Sequence, residues 1–288
     1  MFIDSHAHYD RKEFNKDRES LLEEIWKSGV EYIINAAIGF ESNFKMLEKL
    51  GQYDRISFSV GIHPNKVGTD ATVDARWERE LQDLIAGKEH SFPAEYKGAN
   101  HRIVAIGETG LDFNRLVRDE TGELTTDSMI KLQRQYEWFH RQIRLSVSSG
   151  LPLILHIRDA YQEALEILEG YREVLGKEGA GVAHCFNGTV QDARRLIDYG
   201  FSLGIGGMVC NPANEALRET VAETDLEHII LETDAPFVTP AGVEERRNSS
   251  LNLPLIAAEI SRLKGVDTEE VERITYDNTV KLFHLEQR

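Results

Sequence analysis

Two histidines one residue apart, His6 and His8, close a short apolar run at the start of the chain. In an extended strand, residues two apart share a side, so both imidazoles can reach one metal ion. Further nitrogen and oxygen donors recur mostly where later apolar runs end: Glu108, His156, His184 and Asp234. Four histidines and two carboxylates are more than one ion needs. They suit two divalent ions with a carboxylate as the bridge, and two ions about 3.5–4 Å apart suit hydrolysis of a phosphodiester or another polar ester. Each residue alone has an ordinary reading. A histidine ending a strand usually packs or lies on the surface, and an Asp such as Asp234 commonly starts a turn or caps a helix. Six of them together at run ends are hard to explain by packing.

Such donors need a scaffold that gathers strand ends. Eight apolar, β-rich runs fall at 2–5, 32–36, 56–61, 103–107, 152–156, 181–184, 201–205 and 228–232. Amphipathic stretches separate them, at 18–28, 44–52, 77–86, 131–148, 161–175, 190–199 and 215–223. Leu21, Leu22, Ile25 and Trp26, for example, form one helical face. Gly29, Gly150 and Gly200 follow three of these stretches, as expected after a helix C-terminus. Alternating strands and helices imply parallel strands joined by helical crossovers. Eight such units predict a closed (β/α)8 barrel, which keeps its active site at the C-terminal ends of the strands. An open doubly wound sheet would carry a Gly-rich phosphate fingerprint, and Gly107-Glu108-Thr109-Gly110 is not GxGxxG. Two helices, 253–263 and 268–283, finish the fold. No linker rich in Pro, Gly or Ser divides the chain, so residues 1–288 read as a single domain. The connections 64–102 and 111–130 are long and follow strands expected to carry the site, where such loops shape substrate access.

The net charge is −16, from 49 acidic and 33 basic residues. This argues against broad binding to a nucleic-acid backbone, which needs a large basic surface. It leaves open a small site where metal ions neutralise one phosphate. No run approaches the roughly 18 apolar residues that cross a bilayer, so no membrane association is expected. No basic segment followed by an apolar one opens the chain, and the donors begin at residue 6, so no leader is expected. Cys185 and Cys210 are the two cysteines. They form no disulfide framework, and a cytoplasmic location is expected. Strand alternation turns Cys185 away from the barrel interior, toward the helices.

Six segments, in order, resemble the TatD family of metal-dependent hydrolases, often described as deoxyribonucleases. They are Asp4-Ser5-His6-Ala7-His8, Gly61-Ile62-His63-Pro64, Gly107-Glu108-Thr109-Gly110-Leu111-Asp112, Leu151-Pro152 with His156-Ile157-Arg158-Asp159-Ala160, His184-Cys185-Phe186-Asn187-Gly188 and Glu232-Thr233-Asp234-Ala235-Pro236. The resemblance covers almost the full length. It implies a TIM-type (β/α)8 barrel of the metal-dependent hydrolase superfamily with two divalent metal ions, Mg, Mn or Zn. His6, His8 and Asp234 would hold one ion, His156 and His184 the other, and Glu108 would bridge them. Asp234 is also the expected proton acceptor. His63 and Arg158 match positions near the site and are expected to contact substrate, since an Arg can grip phosphate oxygens through two parallel hydrogen bonds.

The chain departs from the family pattern at residues 114–127, an insertion carrying Asp119, Glu120, Glu123 and Asp127, and in the long connection 66–101. It departs again after Asp234, where Arg247-Asn248 is followed by Ser249-Ser250 and an Asn-x-Pro match falls only at Asn252-Leu253-Pro254. The metal donors are untouched. The expected activity is a two-metal deoxyribonuclease or phosphodiesterase acting on DNA, as single strands or strand ends. The alternative is hydrolysis of a small ester, lactone, amide or phosphate on the same scaffold, including a small phosphodiester. Phe113, Phe237, Arg246 and Arg247 are the aromatic and basic residues that could form a DNA-binding rim.

Overall fold

The computed structural model describes residues 1–87, 102–176 and 178–285. Eight parallel strands follow one another in sheet order: β1 (Phe2–Ala7), β2 (Val30–Ala36), β3 (Ile56–Val60), β4 (Ile103–Asp112), β5 (Leu153–Arg158), β6 (Gly181–His184), β7 (Phe201–Ile205) and β8 (Ile229–Leu231). Between them run α1 (Arg18–Lys27), α2 (Phe40–Leu50), α3 (Asp74–Ile85), α4 (Thr126–Ser149), α5 (Tyr161–Glu169), α6 (Arg172–Leu175), α7 (Val190–Asp198) and α8 (Glu215–Glu223). Two further helices, α9 (Leu253–Lys264) and α10 (Thr268–Phe283), complete the order. The last strand returns to the first. Asp234 N–H donates to His6 O at 2.9 Å and His8 N–H to Ala235 O at 2.8 Å, closing the barrel as expected. No helix among the described residues is long and apolar enough to cross a membrane.

The strands are buried on both faces, as parallel strands covered by helices must be. Their interior residues Ile3, Ile34, Val104, Ile154, Val182 and Ile230 cluster with Val280, Phe283 and Leu285 from the chain's end. His156 and His184 stand two residues beyond Ile154 and Val182, hence on the same side of their strands. A polar layer therefore caps an apolar one, and the position along each strand decides which layer a residue joins.

Several boundaries differ from expectation. β4 runs on to Asp112 instead of ending at 107, and β5 to Arg158 instead of 156. Two buried glutamines of α4 stand in for neighbouring backbone along this stretch. Gln135 accepts from Asp112 N–H at 2.8 Å and donates to Asp112 O at 3.0 Å, while Gln142 accepts from Ile62 N–H at 2.7 Å and donates to Thr109 Oγ1 at 2.7 Å. Gly110 allows β4 and β5 to approach. With φ at +134°, a Cβ there would stand 2.2 Å from His156 O. The amphipathic stretch 161–175 breaks at Gly170 into α5 and α6. In the insertion, an antiparallel bridge joins Arg118 to Leu124. Asp119 Oδ1 accepts there from Thr121 and Glu123 N–H groups, so the loop closes on itself as a small exposed hairpin. Residues 88–101 of the long connection 64–102 lie outside the described residues.

Candidate metal centre

All six expected donors meet at the C-terminal mouth of the barrel. His6, His8 and Asp234 offer ligand atoms within 4.8 Å of one another, as do Glu108, His156 and His184. Glu108 reaches both groups. Its Oε1 is 3.5 Å from Nε2 of both His6 and His8, and its Oε2 is 3.6 Å from His156 Nδ1 and 4.0 Å from His184 Nε2. Asp234 Oδ1 stands 3.2 Å from His8 Nε2 and 3.8 Å from His6 Nε2.

Outer groups fix these rings. His8 Nδ1 lies 2.9 Å from Ala36 O; a carbonyl only accepts, so Nδ1 carries a proton and Nε2 faces the centre. His184 Nδ1 lies 2.9 Å from Glu232 Oε1, which also accepts from Cys185 N–H at 2.6 Å. His156 Nε2 lies 3.1 Å from Asp112 Oδ2, itself held by Asn65 Nδ2 at 2.6 Å. Sequence reasoning gave Glu232 and Asp112 no role. The available signal was the expectation that a ligating histidine pairs its far nitrogen with a carboxylate. Glu232 also stands two residues before Asp234. Asp4 is another missed residue. Wholly buried, it accepts from Thr233 N–H and from the hydroxyls of Thr233 and Ser250, tying β1 to the chain after β8. Burial drives its pKa up to about 6 against those hydrogen bonds.

The electrostatics ask for cations. Burial would raise the pKa of Glu108, but His6, His156 and His63 hold it well below the usual carboxylate range. Burial would lower His8 and His184, but the surrounding carboxylates prevail: Asp234 and Glu108 raise His8 to about 9, and Glu232, Asp234 and Glu108 raise His184 to about 10. Protons are thus drawn to nitrogens that face the centre. Glu108 Oε1 and His6 Nδ1 are buried with no hydrogen-bond partner. The Nε2 atoms of His6 and His8 stand 3.3 Å apart. Hard oxygen and borderline imidazole donors that converge here, with Glu108 Oε1 left unpartnered among them, fit divalent cations.

His63 does two things at once. Its Nδ1 accepts from Asn65 N–H at 3.0 Å, capping the turn that begins at Pro64. The proton is therefore on Nε2, which points inward, 3.9 Å from Glu108 Oε2. Burial and neighbouring His156 push its pKa down to about 3, so it stays a neutral donor. Arg158 is exposed at the end of β5, with no ion pair among the described residues. The expectation for Cys185 is corrected. β6 ends at His184, and Cys185 takes a left-handed φ of +49°, which breaks the strand alternation. Its sulfur turns back to within 4.8 Å of ligand atoms of His184 and Asp234. Of the rim candidates, Phe237 is exposed and Phe113 is half-buried. Arg247 turns away, bound to Asp17 by two hydrogen bonds at 2.7 and 2.6 Å. Asn248 donates to Thr233 O, Phe237 O and Val238 O, fixing the loop that carries Asp234.

A barrel with this mouth defines a metal-dependent hydrolase, and comparison with known proteins agrees. Residues 3–284 match the family described as TatD related DNase. The chain is 30% identical over 286 residues to YabD of Bacillus subtilis, described as an uncharacterized metal-dependent hydrolase, covering 99% of this chain and 100% of that one. It is 30% identical over 276 residues to TatD of Cronobacter sakazakii, a 3'-5' ssDNA/RNA exonuclease, covering 94% and 93%. The crystal structure of YjjV, a TatD homologue from Escherichia coli K12, superposes with a TM-score of 0.81 at 26% identity over 98% of each chain. The chain belongs to the TatD family of metal-dependent hydrolases.

Proposed function

We propose that this chain is a two-metal phosphodiesterase of deoxyribonuclease type that cleaves single-stranded nucleic acid or strand ends. The observation that carries this reading is Glu108, whose Oε1 faces His6 and His8 and whose Oε2 faces His156 and His184. His6, His8 and Asp234 would hold one ion and His156 and His184 the other, with Glu108 placed to serve both. Divalent ions in such a pair polarise a phosphoryl oxygen and lower the pKa of water. Asp234, the carboxylate nearest the opening with its side chain 16% exposed, accepts the proton of the attacking water through Oδ1. Arg158 grips a non-bridging phosphate oxygen, and the Nε2–H of His63 donates to an oxygen on the Oε2 side of Glu108. One phosphorus–oxygen bond forms, the bond to the leaving nucleotide oxygen breaks, and that oxygen takes up a proton.

The relation to the Cronobacter exonuclease supports nucleic acid as the substrate. The acidic insertion supports a second reading, a small ester or phosphate, because Asp119, Glu120 and Glu123 are exposed on it and repel a polyanion. A panel of single-stranded DNA, duplex DNA, RNA and small esters, assayed with Mg2+, Mn2+ and Zn2+, decides between them. Preferential release of nucleotides from single strands supports the first reading; turnover of the small esters alone overturns it.

A further inference from the structure

We propose that Phe237, braced by Arg11, is a stacking platform for the nucleobase of the nucleotide whose phosphate sits at the metal centre. This rests on the nucleic-acid reading of the site. Phe237 is 42% exposed and is the one exposed aromatic side chain among the described residues. A ring of that size is normally buried. Here the backbone holds it out. Phe237 N–H donates to Asp234 O at 2.8 Å, and Phe237 O accepts from the buried Asn248 amide at 2.8 Å. The ring centroid lies 6.2 Å from that of His8, with the planes 64° apart. The Arg11 guanidinium carbon lies 4.8 Å from the centroid of Phe237, within range of a cation–π contact, and Arg11 is held in turn by Glu13 at 3.3 Å. A flat apolar surface is thus fixed one ring away from a candidate metal ligand, with a cation over it.

A nucleotide's base stands one sugar away from its own phosphate. A phosphate at the His8–Asp234 end of the centre therefore brings its base within reach of Phe237. Stacking on a ring accepts every base, because each has a π-face. The platform demands a base without choosing among bases. Two of the other rim candidates do not compete for this role: Arg247 is committed to Asp17, and Phe113 leans on Tyr136 with centroids 6.5 Å apart.

The test uses the Mn2+-loaded protein and calorimetric binding of 2'-deoxyadenosine 5'-monophosphate against 2-deoxyribose 5-phosphate, which lacks the base. The natural chain should bind the nucleotide about 5–150-fold more tightly than the sugar phosphate, the usual worth of one stacked base. Phe237→Leu, which keeps apolar bulk and removes the π-face, should bring that ratio close to one, and Phe237→Trp should restore it. No binding of the nucleotide, equal binding of both ligands, or a ratio that survives Phe237→Leu overturns the platform. A parallel arm measures cleavage of single-stranded oligonucleotides with normal or abasic 3' ends. Cleavage without discrimination in the natural chain overturns the platform and leaves the nuclease reading intact. No cleavage of either oligonucleotide, with the binding ratio present, overturns the nuclease reading and leaves the platform standing.

Discussion

Replacing Glu232 by Gln tests whether the outer carboxylates set the metal affinity. Glu232 is fully buried beneath His184, with Oε1 2.9 Å from its Nδ1. The substitution is nearly isosteric and keeps an amide oxygen for the Cys185 N–H, but it removes the charge that would make His184 a stronger metal ligand. Loss of such a partner lowers metal affinity about 10–100-fold, or about 1.4–2.7 kcal/mol. A second effect opposes the first. In the natural chain, His184 is raised to about 10, so below that pH an incoming ion must displace its proton. Without Glu232 the proton is held less tightly and competes less. The variant should therefore show its largest deficit at high pH and a smaller one at neutral pH, and it should release fewer protons on binding. Zn2+ affinity measured by chelator competition at pH 7 and pH 9, with proton release from calorimetry in two buffers, reads both. Equal affinities and equal proton release in the two proteins would refute the role given to Glu232.

Asp234→Asn should lower turnover about 10²–10⁴-fold, the range for a positioned general base, while elemental analysis still finds at least one ion bound; near-normal turnover with metals in place removes Asp234 from the mechanism. His8 and His184 have pKa values raised in the folded chain, to about 9 and about 10. Their contribution to the metal-free fold is complete below about pH 6.5 and is lost as pH rises through those values. The melting temperature of stripped protein should fall from pH 6.5 to pH 10 and the gap to metal-loaded protein should widen; a gap that is constant with pH contradicts this. Shortening the 114–127 hairpin should raise activity on oligonucleotides relative to a small phosphodiester, and an unchanged ratio shows that the hairpin does not gate the mouth.

The barrel was legible because two signals coincide in the sequence. Apolar runs at strand length alternate with amphipathic stretches, and donors such as His156 and His184 sit two residues after apolar interior residues on the same strands. Strand ends were harder to read. β4 continues through Glu108-Thr109-Gly110-Leu111-Asp112 because Gln135 and Gln142, distant in sequence, satisfy its neighbourhood. The outer partners Glu232 and Asp112 could not be told from ordinary turn or cap residues until the fold set each beside a particular ring nitrogen. Cys185 was misplaced because alternation holds only while the strand lasts, and its left-handed backbone begins one residue beyond β6. Arg247 reads as a rim cation in sequence, yet the distance to Asp17 is a tertiary fact.

The central claim is that paired divalent ions, held by His6, His8, Glu108, His156, His184 and Asp234, cleave phosphodiester bonds of single strands. Its most direct test is turnover of a single-stranded oligonucleotide by metal-stripped protein reloaded stepwise with Mn2+. No turnover without metal, and activity that rises until two ions per chain are bound, is the predicted result. Full turnover by verified metal-free protein, or no cleavage at any loading, would contradict it.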